Sequence, residues 1–157
     1  VTTYLRYNVR SQIFAKSLPM PLVIGGMKRL ELLRTQPELK DNLWKIVNAL
    51  QSGLREKGYN LGTTKSPVTP VYLNGTEYEA GNLIHDIREK FNIFCSMVIY
   101  PIVPKNVIQL RIIPTAVHTL QDVEDTIAAF DAVREKLKAG KYRLEKLETN
   151  LRNFLKK

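Results

Sequence analysis

Apolar residues along this 157-residue chain recur with two different periods, and the change of period divides it into elements. From Leu22 onward Leu22, Met27, Leu30 and Leu33 return at helical spacing, and Pro21 suits the first turn of that helix. The pair Gly25-Gly26 is unusual in a helix interior, where each glycine is about 1 kcal/mol less favourable than alanine. We expect it to pack closely against another backbone. Thr35-Gln-Pro37-Glu38 predicts a fresh helix start, with Thr35 as N-cap and Glu38 completing a capping box. Leu39, Leu43, Ile46, Val47, Leu50 and Leu54 then form one stripe, closed by Gly58 as C-cap. Trp44 lies at its edge as a core or interface anchor.

Beyond Gly58 the pattern changes. Residues 68–73 read as a strand ended by the turn pair Asn74-Gly75. Thr76 with Glu79 caps a helix carrying Leu83, Ile84, Ile87 and Phe91. Residues 93–100 are continuously apolar and β-rich, which predicts a buried strand. Pro101-Ile-Val-Pro104 makes a rigid loop, and residues 107–113 form a third strand whose pattern is mixed rather than alternating. Thr119 opens a last helix with Leu120, Val123, Ile127, Phe130, Val133 and Leu137, ended by Gly140. The first twelve residues read as a helix end, followed by a short apolar strand at 13–15. This order predicts an α/β (α+β) fold: a small antiparallel sheet of about three strands, covered on one face by helices.

Charge adds a question without answering it. Twenty-four Lys and Arg against 15 Asp and Glu give a net charge of +9, which suits nucleic acid, acidic membranes or anionic substrates. The basic residues are scattered, however, and many lie three or four positions from an acid. No RNP-like aromatic box, glycine-rich phosphate loop or zinc knuckle accompanies them. A basic, solvated surface is the better reading, and a nucleic-acid-binding α/β module stands as the alternative of another class. The single cysteine, Cys95, excludes an internal disulfide framework and fits a reducing, cytoplasmic compartment. Two histidines far apart give no zinc spacing, so no metal is expected. Apolar runs are too short or too broken by proline to span a bilayer. The start at Val1, inside the helix-like Tyr4-Leu5-Arg6-Tyr7, suggests a piece of a longer chain.

Arg111 is the most informative single residue, because it interrupts the apolar strand Leu110-Arg111-Ile112-Ile113. Buried there it must meet a carboxylate or phosphate, which its planar fork grips with two bonds. Pointing out from the sheet's far face it would need no partner, and the residues alone favour this second reading. His118 reads as a capping or packed histidine, and His85, beside Asp86, Arg88 and Glu89, as part of a solvated face. Cys95 reads as a small core residue with an ordinary thiol, and Lys16, followed by Ser17, as a surface lysine or an anion contact. No Ser-His-Asp set or carboxylate pair stands out.

Taken together, several stretches are similar to one enzyme family. These are Ile13-Phe-Ala-Lys-Ser-Leu-Pro-Met-Pro21, Gly58-Tyr-Asn-Leu-Gly62, Ser66-Pro-Val-Thr-Pro-Val71, Tyr100-Pro-Ile-Val-Pro104, Leu110-Arg-Ile112 and Ala116-Val-His-Thr119. They resemble the α-oxoamine synthases, pyridoxal-phosphate (PLP) enzymes of fold type I, over residues 4–139, with wording closest to bacterial serine palmitoyltransferases. The resemblance implies a homodimer that condenses an amino acid with an acyl-CoA, the α-carbon attacking the thioester as CoA and carbon dioxide leave. The implied substrates are L-serine and palmitoyl-CoA, giving 3-ketosphinganine for sphingolipid biosynthesis. Glycine C-acetyltransferase and 8-amino-7-oxononanoate synthase are the alternatives within the family.

The resemblance further implies that residues 1–20 end the large PLP-binding domain and that 21–57 are connecting helices. Residues 58–140 would form the small C-terminal domain and 141–157 a charged helical tail. On that reading the Schiff-base lysine lies upstream, and this chain alone is inactive. Arg111 falls on the arginine that binds the substrate carboxylate. Ala15 and Lys16 fall on the pair that reaches the cofactor phosphate of the other subunit, where Ala15 has only its backbone N–H to offer.

Overall fold

In the computed structural model the described residues are 1–143. They form two compact units, Val1–Pro37 and the residues from Glu38 onward. The predicted charged tail lies outside the described residues, apart from its first three positions.

The first unit holds α1 (Thr2–Asn8), α2 (Arg10–Ile13) and α3 (Met20–Thr35). No strand forms at 13–15: Ile13 ends α2, and the Phe14 N–H donates to the Arg10 carbonyl at 3.0 Å. Three apolar residues do not fix an extended backbone when no strand edge among the described residues pairs with them. Pro21 does lie in the first turn of α3. The close packing expected at the glycine pair is absent among the described residues, because a side chain at Gly26 would meet nothing within 4 Å. None of the residues of α3 is buried.

The second unit begins on α4 (Pro37–Glu56). Thr35 is not its cap. Its hydroxyl donates back to the Glu31 carbonyl at 2.9 Å as the last residue of α3, since Pro37 at the helix start leaves Gln36 as the boundary. The apolar stripe is as expected, with Ile46, Val47, Leu50 and Leu54 buried. At its end the Tyr59 N–H reaches the Leu54 carbonyl and the Gly58 N–H reaches Arg55, closing a Schellman turn. That turn needs a left-handed residue, and Gly58 supplies it with φ +75°.

Strand β1 (Thr69–Asn74), α5 (Glu77–Phe91), β2 (Ser96–Val98), β3 (Val107–Ile112) and α6 (Leu120–Lys138) follow. The predicted capping box of Thr76 with Glu79 exists in full, and Thr119, expected to open the last helix, does so through a second box with Asp122 that the sequence reading does not name. The sheet is antiparallel in the order β1-β3-β2, so β3 is central. The expected long strand at 93–100 shrinks to the three residues of β2, and it is an edge, with Phe94 80% exposed beside it. A continuous apolar run therefore marked packing of a loop and an edge, not a strand covered on both faces. In β3 the burial does alternate: Ile108, Leu110 and Ile112 are buried, and Arg111 is exposed. The inward residues of β1 and β3 join Ile46, Leu50 and Leu54 of α4, Leu83 and Ile87 of α5, and Phe130 and Val133 of α6 in one core.

One polar cluster ties this core's rim. Asp86 accepts from Lys90 at 2.7 Å, from Lys136 at 2.8 Å and from the Tyr142 hydroxyl at 2.8 Å. Burial pushes the Asp86 carboxyl up, but the bonds from Lys136, Lys90 and Tyr142 outweigh it and hold its pKa at about 2. A carboxyl with a depressed folded pKa stabilises the fold above its unfolded pKa of 3.8 and stops doing so as pH falls toward 2. Unfolding by urea should therefore show up to about 2 kcal/mol of stability lost between roughly pH 4 and pH 2. Asp86→Asn should flatten that dependence, and an unchanged acid profile would remove Asp86 as its source.

Candidate functional site

Several polar residues of the strands lie on the face of the sheet turned away from the core. Alternation along β3 places Gln109 and Arg111 there, opposite the buried Leu110 and Ile112. Arg111 is flanked in register by Ser96 of β2 and Pro70 of β1. Its Nε donates to Ser96 Oγ at 3.0 Å, and its two terminal nitrogens have no hydrogen-bond or ion partner among the described residues. Of the two readings open to the sequence, the outward one holds. The result is a cation on a rigid central strand, with a planar two-pronged donor directed away from the core, suited to a carboxylate or phosphate.

Ala15 and Lys16 lie between α2 and α3, both exposed. The backbone N–H groups of residues 15–18 make no hydrogen bond among the described residues. Those amides, the Lys16 ammonium and the Ser17 hydroxyl are all donors, which is the chemistry an anionic phosphate requires.

His118 is a local cap: its Nδ1 accepts from the Thr115 N–H at 2.9 Å, so in the neutral ring the proton sits on Nε2. His85 is exposed on α5. Cys95 is 4% exposed, and burial pushes its thiol up to about 11, so the thiol is less reactive than the ordinary one expected. A hollow of about 550 Å³ opens between α4, α6 and the end of β3, floored by Ile46, Leu50, Ile112 and Val123. Among the described residues no group of His, Cys, Asp and Glu could hold a metal ion, and no helix is long and apolar enough to cross a membrane.

No family model matches the chain. Individual proteins do. A cysteate-C-fatty acyltransferase from Capnocytophaga ochracea is 54% identical over 143 residues, covering 91% of this chain and 34% of that protein. An 8-amino-7-oxononanoate synthase from Exiguobacterium sibiricum is 34% identical, covering 87% of this chain and 35% of its own length. A serine palmitoyltransferase from Sphingobacterium spiritivorum is 30% identical, over 81% of this chain and 31% of that protein. This chain is homologous to the α-oxoamine synthases.

The chain spans about a third of the length of the curated relatives it matches. Its fold agrees: a serine palmitoyltransferase from Sphingomonas wittichii superposes with a TM-score of 0.72 and 25% identity, over 90% of this chain and 35% of that one. One from S. paucimobilis, solved with a bound PLP–myriocin aldimine, gives a TM-score of 0.73 at 24% identity, over 87% of this chain and 34% of that one. Helices and a three-stranded antiparallel sheet in this arrangement are the C-terminal domain of these fold type I enzymes. Sequence reasoning about this α-oxoamine synthase homologue missed Ser96. The signal was present, as the lone strongly polar residue in the apolar run 93–100.

Proposed function

We propose that the complete protein carrying this chain is a PLP-dependent acyltransferase, active as a cytoplasmic homodimer, that condenses an amino acid with a fatty acyl thioester. Homology carries this reading, and the free terminal nitrogens of Arg111 on the uncovered sheet face support it. L-Cysteate is the amino acid we favour, because the 54% identical relative is a cysteate-C-fatty acyltransferase. L-Serine with palmitoyl-CoA is the second reading, supported by the 30% identical serine palmitoyltransferase.

The cofactor, when bound, supplies an electron sink that stabilises negative charge at the amino acid's α-carbon. This chain's residues would do the positioning. Arg111 binds the substrate carboxylate through its terminal nitrogens and so fixes the amino acid's orientation about that carbon. The amides of residues 15–18, the Ser17 hydroxyl and Lys16 would hold a phosphate, with Ala15 contributing only its N–H. Residues 1–20 would then close the large domain, 21–57 connect, and 58–140 form the small domain.

The test is absorbance of the cofactor in the whole protein, titrated with L-cysteate, L-serine, glycine and L-alanine. A shift at the lowest concentration with L-cysteate supports the favoured substrate, and one with L-serine moves the assignment to the second reading. A response confined to glycine or L-alanine overturns both substrate readings. Absence of cofactor absorbance, or no response to any of the four, overturns the proposed activity.

A further inference from the structure

We propose that Ser96 is a positioning residue for Arg111, tethering the guanidinium so that its two terminal nitrogens meet the substrate carboxylate end-on. The proposal rests on the carboxylate reading of Arg111 above. Ser96 and Arg111 face each other across the β2–β3 pairing, and the Arg111 Nε–H donates to Ser96 Oγ at 3.0 Å. A guanidinium has two ways to grip a carboxylate with paired bonds: through both terminal nitrogens, or through Nε and one of them. Ser96 occupies Nε, which leaves the first way free and obstructs the second.

Three features make this arrangement suit a binding site. Long exposed side chains lose rotamer freedom on binding, and a guanidinium already tethered loses less. The tether is a neutral hydroxyl, so it orients the cation without cancelling its charge, as a carboxylate at that position would. Pro70, on the other flank, brings no polar side chain, and no acid pairs with Arg111 among the described residues. Nothing there competes with an incoming anion.

The experiment compares the whole, cofactor-loaded protein with Ser96→Ala, Ser96→Thr and Arg111→Ala by spectral titration. The probes are L-cysteate and L-serine, each set against its counterpart lacking the carboxylate, taurine and ethanolamine. Ser96→Ala should weaken amino-acid binding about three- to tenfold, in the range expected for one lost hydrogen bond, with taurine and ethanolamine unaffected. Ser96→Thr should stay within about twofold of the parent, because the hydroxyl remains. Equal weakening of amino acid and amine by Ser96→Ala overturns the proposal, since it marks a general structural effect. Unchanged binding in Ser96→Ala with strong weakening in Arg111→Ala overturns it too, while leaving the role of Arg111 standing. Unchanged amino-acid binding in Arg111→Ala overturns both.

Discussion

Arg111→Ala in the whole protein should raise the amino-acid KM about 100-fold and leave cofactor loading and the acyl-thioester KM unchanged. Arg111 is exposed on the face of β3 opposite the buried Ile108, Leu110 and Ile112, so its removal opens no cavity among them. The loss should therefore appear in substrate binding and not in stability. Arg111→Lys should recover only part of it, because a single ammonium cannot reproduce two parallel bonds to a planar carboxylate. Steady-state kinetics with each substrate varied in turn makes the check. A rise in both KM values together would point to a distorted domain, and no rise at all would remove the carboxylate role.

The largest loss of stability is expected from Phe130→Ala. Phe130 on α6 is fully buried in the core and packs edge-on against Tyr59, with ring centroids 6.2 Å apart at 79°. Truncating such a ring removes its burial and leaves a cavity, at a cost of about 4 kcal/mol. Domains of this size hold only about 5–15 kcal/mol in total, so much of the margin disappears. Urea unfolding should show a lower midpoint with an unchanged slope. Phe130→Leu should lose about 1.5 kcal/mol, since most of the volume stays. A loss below about 1 kcal/mol for the alanine variant would mean that the centre of the core lies elsewhere.

Much of this fold was legible because local chemistry and burial agree. Thr76 with Glu79, and Thr119, mark helix starts by side-chain bonds that need no tertiary context, and both helices start there. Gly58 ends α4 for an equally local reason. Misreadings fall where pairing decides. Residues 13–15 look like a strand but pair with no strand among the described residues, and of the run 93–100 only Ser96–Val98 pair with β3, the rest standing as loop. Thr35 misled because Pro37 sets the boundary one residue later than the capping pattern suggests.

The site was legible in part. Arg111 stood out as a charge in an apolar strand, but only the register of β3 between β1 and β2 decides that it faces outward. Ser96 stood out in the sequence only as a polar residue in the run 93–100; its pairing with Arg111, fifteen positions away, comes from the β2–β3 register. Ala15 and Lys16 entered through resemblance, and their local contribution is a set of free donors.

The alternation of β3 has a consequence for how errors in this protein reveal themselves. Residues that hold the core and the residue that presents the charge take turns on one short strand. A slip of one position would turn Arg111 inward and bring Ile112 and Leu110 to the surface. Burying an unpaired guanidinium is too unfavourable for such a chain to persist. Misregistered copies should therefore be lost as unfolded protein instead of accumulating as folded protein with Arg111 turned the wrong way. The hydrophobic core in this way proofreads the direction of Arg111.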